Sequence, residues 1–142
     1  MRITDVLRRK GDIVVTITPQ DTVRALLDAL AEHKVGALVV TDAEGSVEGI
    51  VSERDVVRHL QARGPGVLEQ PVGAIMTSPV HTALPEATLE ELMVLMTERR
   101  IRHVPVVVEG RLTGIISIGD VVKHRIEELQ SERDQLTAYI QQ

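Results

Sequence analysis

Residues 49–57, GIVSERDVV, return sixty-five positions later as GIISIGDVV from Gly114, with six identities that include a serine and the aspartate three residues on. A chain that repeats itself at a fixed period is built from copies of one supersecondary unit. Each copy is too short to bury a stable core alone, so the two must pack together into one module. The repeat reaches further back. Residues from Thr22, TVRALLDALAEH, align without a gap on TLEELMVLMTER from Thr88, now at an offset of 66. Val23, Leu26, Leu27 and Leu30, like Leu89, Leu92, Met93 and Met96, recur at i, i+3, i+4 and i+7, the spacing of one apolar helix face. Thr88 and Glu91 have capping-box spacing at the helix start, and Pro19 and Pro85 end whatever precedes.

β-Branched runs follow each helix, at 37–41 and 103–108, then turns DAEGS and EG, then second strands through 49–51 and 114–116. These read as hairpins, and the shorter second turn explains the fall in offset from 66 to 65. Helices start again after Ser52 and Ser117. Short strands at 13–18 and 80–83 complete a β-α-β-β-α unit, present twice. VGAIM (72–76) echoes ITDVL (3–7) as a lead-in helix for each copy. The expected organisation is a mixed α/β (α+β) fold: repeat 1 at 1–63, a linker at 64–71, repeat 2 at 72–125, and a helical extension at 126–142. Two such sheets pack most simply about a pseudo-twofold axis.

The final helix runs from about Gly119 to near the C-terminus, far beyond its counterpart. Val122, Ile126, Leu129, Leu136 and Ile140 form a 4-3 stripe, interrupted by Arg133, that suits packing against a partner chain. A homodimer is expected.

Composition narrows the chemistry. The 142 residues contain no cysteine, so disulfides and thiolate sites are excluded. A formal charge of −5, with no Phe, no Trp and only Tyr139, argues against nucleic acid as a partner. The charged N-terminus is unlike a signal peptide and no apolar run approaches a membrane span, so a cytoplasmic protein without a membrane partner is expected. His33, His59, His81 and His124 lack metal-ligand spacing, and no nucleophile motif, P-loop or dinucleotide fingerprint is present. No catalysis and no metal are expected.

The Ser-x-x-Asp pairs fall where a strand gives way to a helix. Such residues are ordinary N-caps. The same place offers free amides and the positive helix dipole to an anion, and a glycine ahead of each pair permits close approach. A carboxylate there can accept hydrogen bonds from both hydroxyls of a ribose. Both copies keep both residues, which favours a ligand.

The duplicated GIVSERD and GIISIGD, the IRHVPVV strand with its preceding helix, and the VVTITP and VHTALP lead-ins resemble the cystathionine-β-synthase (CBS) domain, here a stand-alone tandem pair or Bateman module. The resemblance covers nearly the whole chain and implies an adenosine-nucleotide sensor that regulates an unidentified protein. It places Asp55 and Asp120 on ribose hydroxyls, and Ser52 and Ser117 on ribose or phosphate. Thr16 and Thr82 would lie beside the nucleotide, Val14 and Val80 against the adenine, and Arg102 and His103 on the phosphates. The copies differ here: Gly36 and Ala37 stand where the second has Arg102 and His103, and Arg54 stands where it has Gly119. The two clefts are therefore not equivalent, and basic groups of one copy can serve a ligand held by the other. Arg99 and Arg100 read as solvated cations complementing a helix dipole. AMP is the first choice of ligand, with ATP and NAD(H) as alternatives, Arg54 being available to a longer diphosphate. The rival reading is a ligand-free dimerisation and docking scaffold in which Ser and Asp only cap helices.

Overall fold

The computed structural model describes residues 1–11 and 14–141. The elements are α1 (Ile3–Lys10), β1 (Thr16–Ile17), α2 (Val23–His33), β2 (Ala37–Thr41), β3 (Val47–Ser52), α3 (Glu53–Arg63), α4 (Leu89–Arg99), β4 (His103–Val108), β5 (Arg111–Ser117) and α5 (Ile118–Ile140). None of the helices is long and apolar enough to cross a membrane. The expected strand from residue 13 begins outside the described residues, and its ordered part is Thr16–Ile17.

Local sequence accounts for the element ends. Thr22 and Thr88 accept hydrogen bonds from the backbone N–H groups of Ala25 and Glu91, and Glu91 completes a capping box. Both helices stop on a left-handed residue, Lys34 (φ 55°) and Arg100 (φ 54°), at matching places. The two-residue loop Glu109–Gly110, with φ of 50° and 80°, is the positive-φ turn that suits a tight hairpin. In the longer first loop, Asp42 Oδ1 instead accepts from the amides of Glu44 and Ser46.

The sheets are less equal than the repeats. β1 runs parallel to β2, and β2 pairs antiparallel with β3, with Val39 opposite Ile50. In the second copy only β4 and β5 form a ladder, with His103 opposite Ser117. The strand expected at 80–83 shrinks to a single bridge, Ala83 to Val106, held by bonds of 2.9 Å and 3.0 Å. His81, Thr82 and Leu84 are exposed there, so no alternation of buried residues supports a longer ladder.

The lead-in segments correct a second expectation, because they are exchanged between copies. Ile3 and Val6, both 0 % exposed, pack with Leu89, Leu92, Val104 and Ile116 of the second repeat. Val72 and Ile75 pack with Val23, Leu26, Leu38 and Val51 of the first. Residues 72–76 are also not an α-helix, since only Val72–Ala74 forms a 3-10 turn. The backbone bonds match in pairs. The amide of Ile3 donates to Ala87 O (2.9 Å) as Val72 donates to Asp21 O (2.7 Å). Thr4 donates to Pro85 O (3.0 Å) as Gly73 donates to Pro19 O (2.9 Å). Each fully buried aliphatic side chain contributes roughly 1.5–3 kcal/mol, so the exchange ties the repeats into one unit about a pseudo-twofold axis.

The glycines ahead of the Ser-x-x-Asp pairs serve this exchange. A Cβ on Gly49 would lie 2.7 Å from Met76 Sδ and 2.9 Å from Thr77 O, and one on Gly114 would lie 2.6 Å from Leu7 Cδ2. The close approach is therefore by the lead-in of the other copy. The segment 64–71 also does more than connect, because Val67 is buried in the first core and Leu68 packs against it.

Candidate functional site

A cavity of about 410 Å³ opens between the two repeats, within the roughly 300–1,000 Å³ typical of small-molecule sites. The first copy supplies the end of β3 and the first two turns of α3, namely Ile50, Ser52, Glu53, Arg54, Asp55 and Arg58, with Gly36 and Ala37 at the start of β2. Arg100, Ile101, Arg102 and His103 come from the second, and Thr77 from the exchanged lead-in. Thus Ser52, Arg54, Asp55, Arg102 and His103 are brought together. Basic groups of one copy face the carboxylate of the other, where Gly36 leaves room for them.

Arg58 and Arg100 were not expected there. Arg100 had the position of a solvated helix-end cation, but its left-handed backbone turns the chain towards the cleft immediately before Arg102. A helical spacing of four from Arg54 is the signal that brings Arg58 onto the same face. Among the described residues none of Arg54, Arg58, Arg100 and Arg102 makes an ion pair. Four guanidinium groups thus meet only two carboxylates, Glu53 and Asp55, in the cavity wall of a chain whose net charge is −5. Such a concentration of charge focuses the field on an anion.

Ser52 and Asp55 form a complete capping box. The Ser52 amide donates to Asp55 Oδ2 (2.8 Å), its hydroxyl to the same oxygen (3.1 Å), and the Asp55 amide to Ser52 Oγ (3.4 Å). Only Oδ2 is used, so Oδ1 has no hydrogen-bond partner among the described residues. Ser117 and Asp120 repeat the box at the start of α5, with bonds of 2.9 Å and 3.1 Å. Both copies hold the carboxylate in a fixed orientation, half-buried at a helix N-terminus.

The second carboxylate has an additional partner. Lys10, at the end of α1, donates from Nζ to Asp120 Oδ2 (2.6 Å) and to Ile115 O (2.9 Å). Burial pushes the Asp120 pKa up, but the Lys10 and Ser117 hydrogen bonds and the ammonium charge outweigh it, and the carboxyl titrates below its ordinary value. His103 also titrates below its ordinary range. Burial is the main cause, Lys10 and Arg102 add to it, and Asp120 and Glu53 oppose it. His103 thus senses both carboxylate-bearing helix starts.

Other expected site residues lie apart. Ser117 and Asp120 are not in the cavity wall. Neither are Val14 and Val80, both half-buried, nor Thr16 and Thr82, both exposed. Thr16 lies on β1, across β2 from Ile50, and is level with Val39 rather than with the cavity-lining Ala37. Among the described residues no group of three His, Asp or Glu side chains is placed to hold a metal.

A family model for the CBS domain matches residues 3–62 and 72–127. The mitochondrial CBS domain-containing protein CBSX3 of Arabidopsis thaliana is 37% identical over 147 aligned residues, covering 98% of this chain and 71% of that protein. The crystal structure of a CBS-domain containing protein from Agrobacterium tumefaciens superposes with a TM-score of 0.85 at 47% identity, covering 88% of this chain and 99% of that one. The CBS domain pair of protein MJ0100, solved with 5′-methylthioadenosine and S-adenosyl-L-methionine, shares the fold. Its TM-score is 0.78 at 22% identity, over 87% of this chain and 98% of that one.

Proposed function

The chain belongs to the CBS-domain family as a tandem pair, a regulatory module, and on that premise we propose that it senses adenosine nucleotides in the cleft between Asp55 and Arg102. The observation that carries this reading is the convergence of four unpaired arginines and one pre-oriented carboxylate on a single cavity of about 410 Å³. Asp55 Oδ1 accepts a ribose hydroxyl, Ser52 lies beside it, and the guanidinium groups take the phosphates in bidentate fashion. With no Phe or Trp in the chain, aliphatic residues such as Ile50 and Ile101 cover the base. An adenosine ligand on a CBS pair has precedent in the MJ0100 complex.

A single Arg/His phosphate site formed by Arg102 and His103 would suit AMP. Arg54, Arg58 and Arg100 on the same wall favour a longer chain of phosphates, so ATP or ADP is the preferred ligand and AMP the weaker one. The regulated response passes through dimers. Val122 (52 % exposed), Ile126 (49 %), Leu136 (63 %) and Ile140 (80 %) form an uncovered stripe along α5, which a second copy covers. A ligand alters that assembly only in so far as it favours one of its conformations.

Thermal shift with ATP, ADP, AMP and NAD(H) tests the proposal. Ligand at about 100 times its Kd stabilises by about 2.7 kcal/mol, and the expected order is ATP and ADP above AMP. Asp55→Ala removes a charged hydrogen-bond acceptor worth about 1.5–3 kcal/mol, a loss of roughly 10- to 100-fold in affinity. One observation favours a second reading: both capping boxes are complete without ligand. A helix-capped docking scaffold predicts no stabilisation by any nucleotide at millimolar concentration, and that result would overturn the sensing role.

A further inference from the structure

The lead-in segments are unequal in a way that bears on the second carboxylate. Leu7 and Met76 occupy matching places against Gly114 and Gly49, at an offset of 69, whereas Val14 and Val80 match at 66. The first lead-in therefore carries three more residues, and it winds into an extra helical turn that ends at Lys10. The second has no such turn. There the Thr77 amide donates to Ile50 O (2.8 Å), the carbonyl that corresponds to Ile115 O. Lys10 Nζ satisfies Ile115 O and continues to Asp120 Oδ2, while among the described residues Asp55 Oδ2 receives donors only from Ser52.

Lys10 is not a free surface lysine. Its helix is anchored by Ile3 and Val6 in the second core, and Arg9 beside it donates to Glu127 Oε2 at 2.8 Å. The ammonium is thereby held over the start of α5.

We propose that Lys10 is a built-in occupant of the second clamp: its ammonium holds the carboxylate that would otherwise receive a ribose diol, so each chain binds nucleotide in one of its two clefts. In each copy the capping box already occupies Oδ2, so a ribose must be received on the remaining acceptor capacity of the carboxylate. In the second copy Oδ2 carries a charged donor where the first has only a serine hydroxyl, so the carboxylate charge is already paired. A ribose hydroxyl is a neutral donor and does not displace an anchored ammonium from a carboxylate. The three-residue extension thus decides which duplicate is a site. This inference rests on the nucleotide-binding reading of the first cleft.

Calorimetric titration of the full chain with ATP counts the sites. Wild type is expected to bind one ATP per chain, Asp120→Ala also one at the same affinity, and Asp55→Ala one at roughly 10- to 100-fold weaker affinity. Lys10→Met and Lys10→Gln are expected to bind two, and Lys10→Met with Asp120→Ala to return to one. Carboxyl carbon NMR supplies a readout without ligand: the Asp120 titration moves up towards the ordinary carboxylate range in Lys10→Met. Two ATP per wild-type chain, one per chain in both Lys10 variants, or an unmoved Asp120 titration would overturn the occupant role and leave the first cleft's function intact. Absence of ATP binding by wild type and by both Lys10 variants would overturn the nucleotide reading, and this inference with it.

Discussion

Replacing Gly49 or Gly114 by alanine tests the exchange of lead-in segments that creates the cleft. At Gly114 the new methyl would lie 2.6 Å from Leu7 Cδ2 and 3.0 Å from Cδ1, a clash with the far end of one side chain. Overpacking of this kind costs about 1–3 kcal/mol. Gly49→Ala meets Met76 Sδ at 2.7 Å and also the Thr77 carbonyl at 2.9 Å. That carbonyl accepts from the Ile50 amide (3.1 Å), while the Thr77 amide donates to Ile50 O (2.8 Å), so backbone must move. Two strained backbone hydrogen bonds at about 1 kcal/mol each raise the expected cost at Gly49 to about 3–5 kcal/mol. Gly36→Ala is the control, since its Cβ meets nothing within 4 Å, and a change below about 0.5 kcal/mol is expected. The assay is urea unfolding at fixed protein concentration. Leu7→Ala should partly rescue Gly114→Ala, with a favourable coupling of about 1–2 kcal/mol in the double-mutant cycle. Additive losses, or glycine variants no less stable than Gly36→Ala, would refute the exchange as the reason for these glycines.

Nucleotide affinity should rise as pH falls from 7.5 to 5.5, because the free His103 titrates below its ordinary range and a bound phosphate favours the imidazolium; isothermal titration in buffers of different ionisation enthalpy reads the proton uptake, which His103→Gln abolishes. Asp120 has a depressed folded-state pKa, so its contribution to stability is full above the ordinary carboxylate value of about 3.9 and disappears as pH falls through the lower folded value. Urea midpoints of Asp120→Asn should therefore lie below wild type at pH 6 and converge with it at the acid end. Truncation after residue 125 removes Ile126, Leu129, Leu136 and Ile140, and sedimentation velocity should show dimer giving way to monomer; a truncated chain that remains dimeric refutes the role of α5.

Self-similarity made the repeats, their helices and their hairpins legible, because a 3.6-residue apolar period and β-branched runs appear twice at one offset. It could not reveal which lead-in serves which core. Ile3 and Val72 carry the same apolar pattern, so either partner satisfies burial, and the structure distinguishes them by core packing, backbone bonds and the close contacts at Gly49 and Gly114. The strand expected at 80–83 shrinks to one bridge because its β-branched residues lack a buried alternation. In the cleft, Ser52, Asp55, Arg54, Arg102 and His103 were found from motif and asymmetry. Arg100 was hidden by its place at a helix end, where a cation already has a dipole to complement. Lys10 was hidden in the same way, within an Arg-Arg-Lys helix terminus. The fall in offset from 69 to 66 was its one sequence signal, and it acquires meaning only once α1 is seen against α5.

On the proposed function, nucleotide binds in the cleft joining Asp55 to Arg102. Titration of ¹⁵N-labelled chain with ATP, followed by amide NMR, tests it most directly. The amides of Ser52, Glu53, Arg54 and Asp55 and of Arg100, Arg102 and His103 should shift together and saturate with one affinity, which Asp55→Ala should weaken roughly 10- to 100-fold. Unchanged spectra at millimolar ATP, or shifts confined to the start of α5 around Asp120, would contradict the claim.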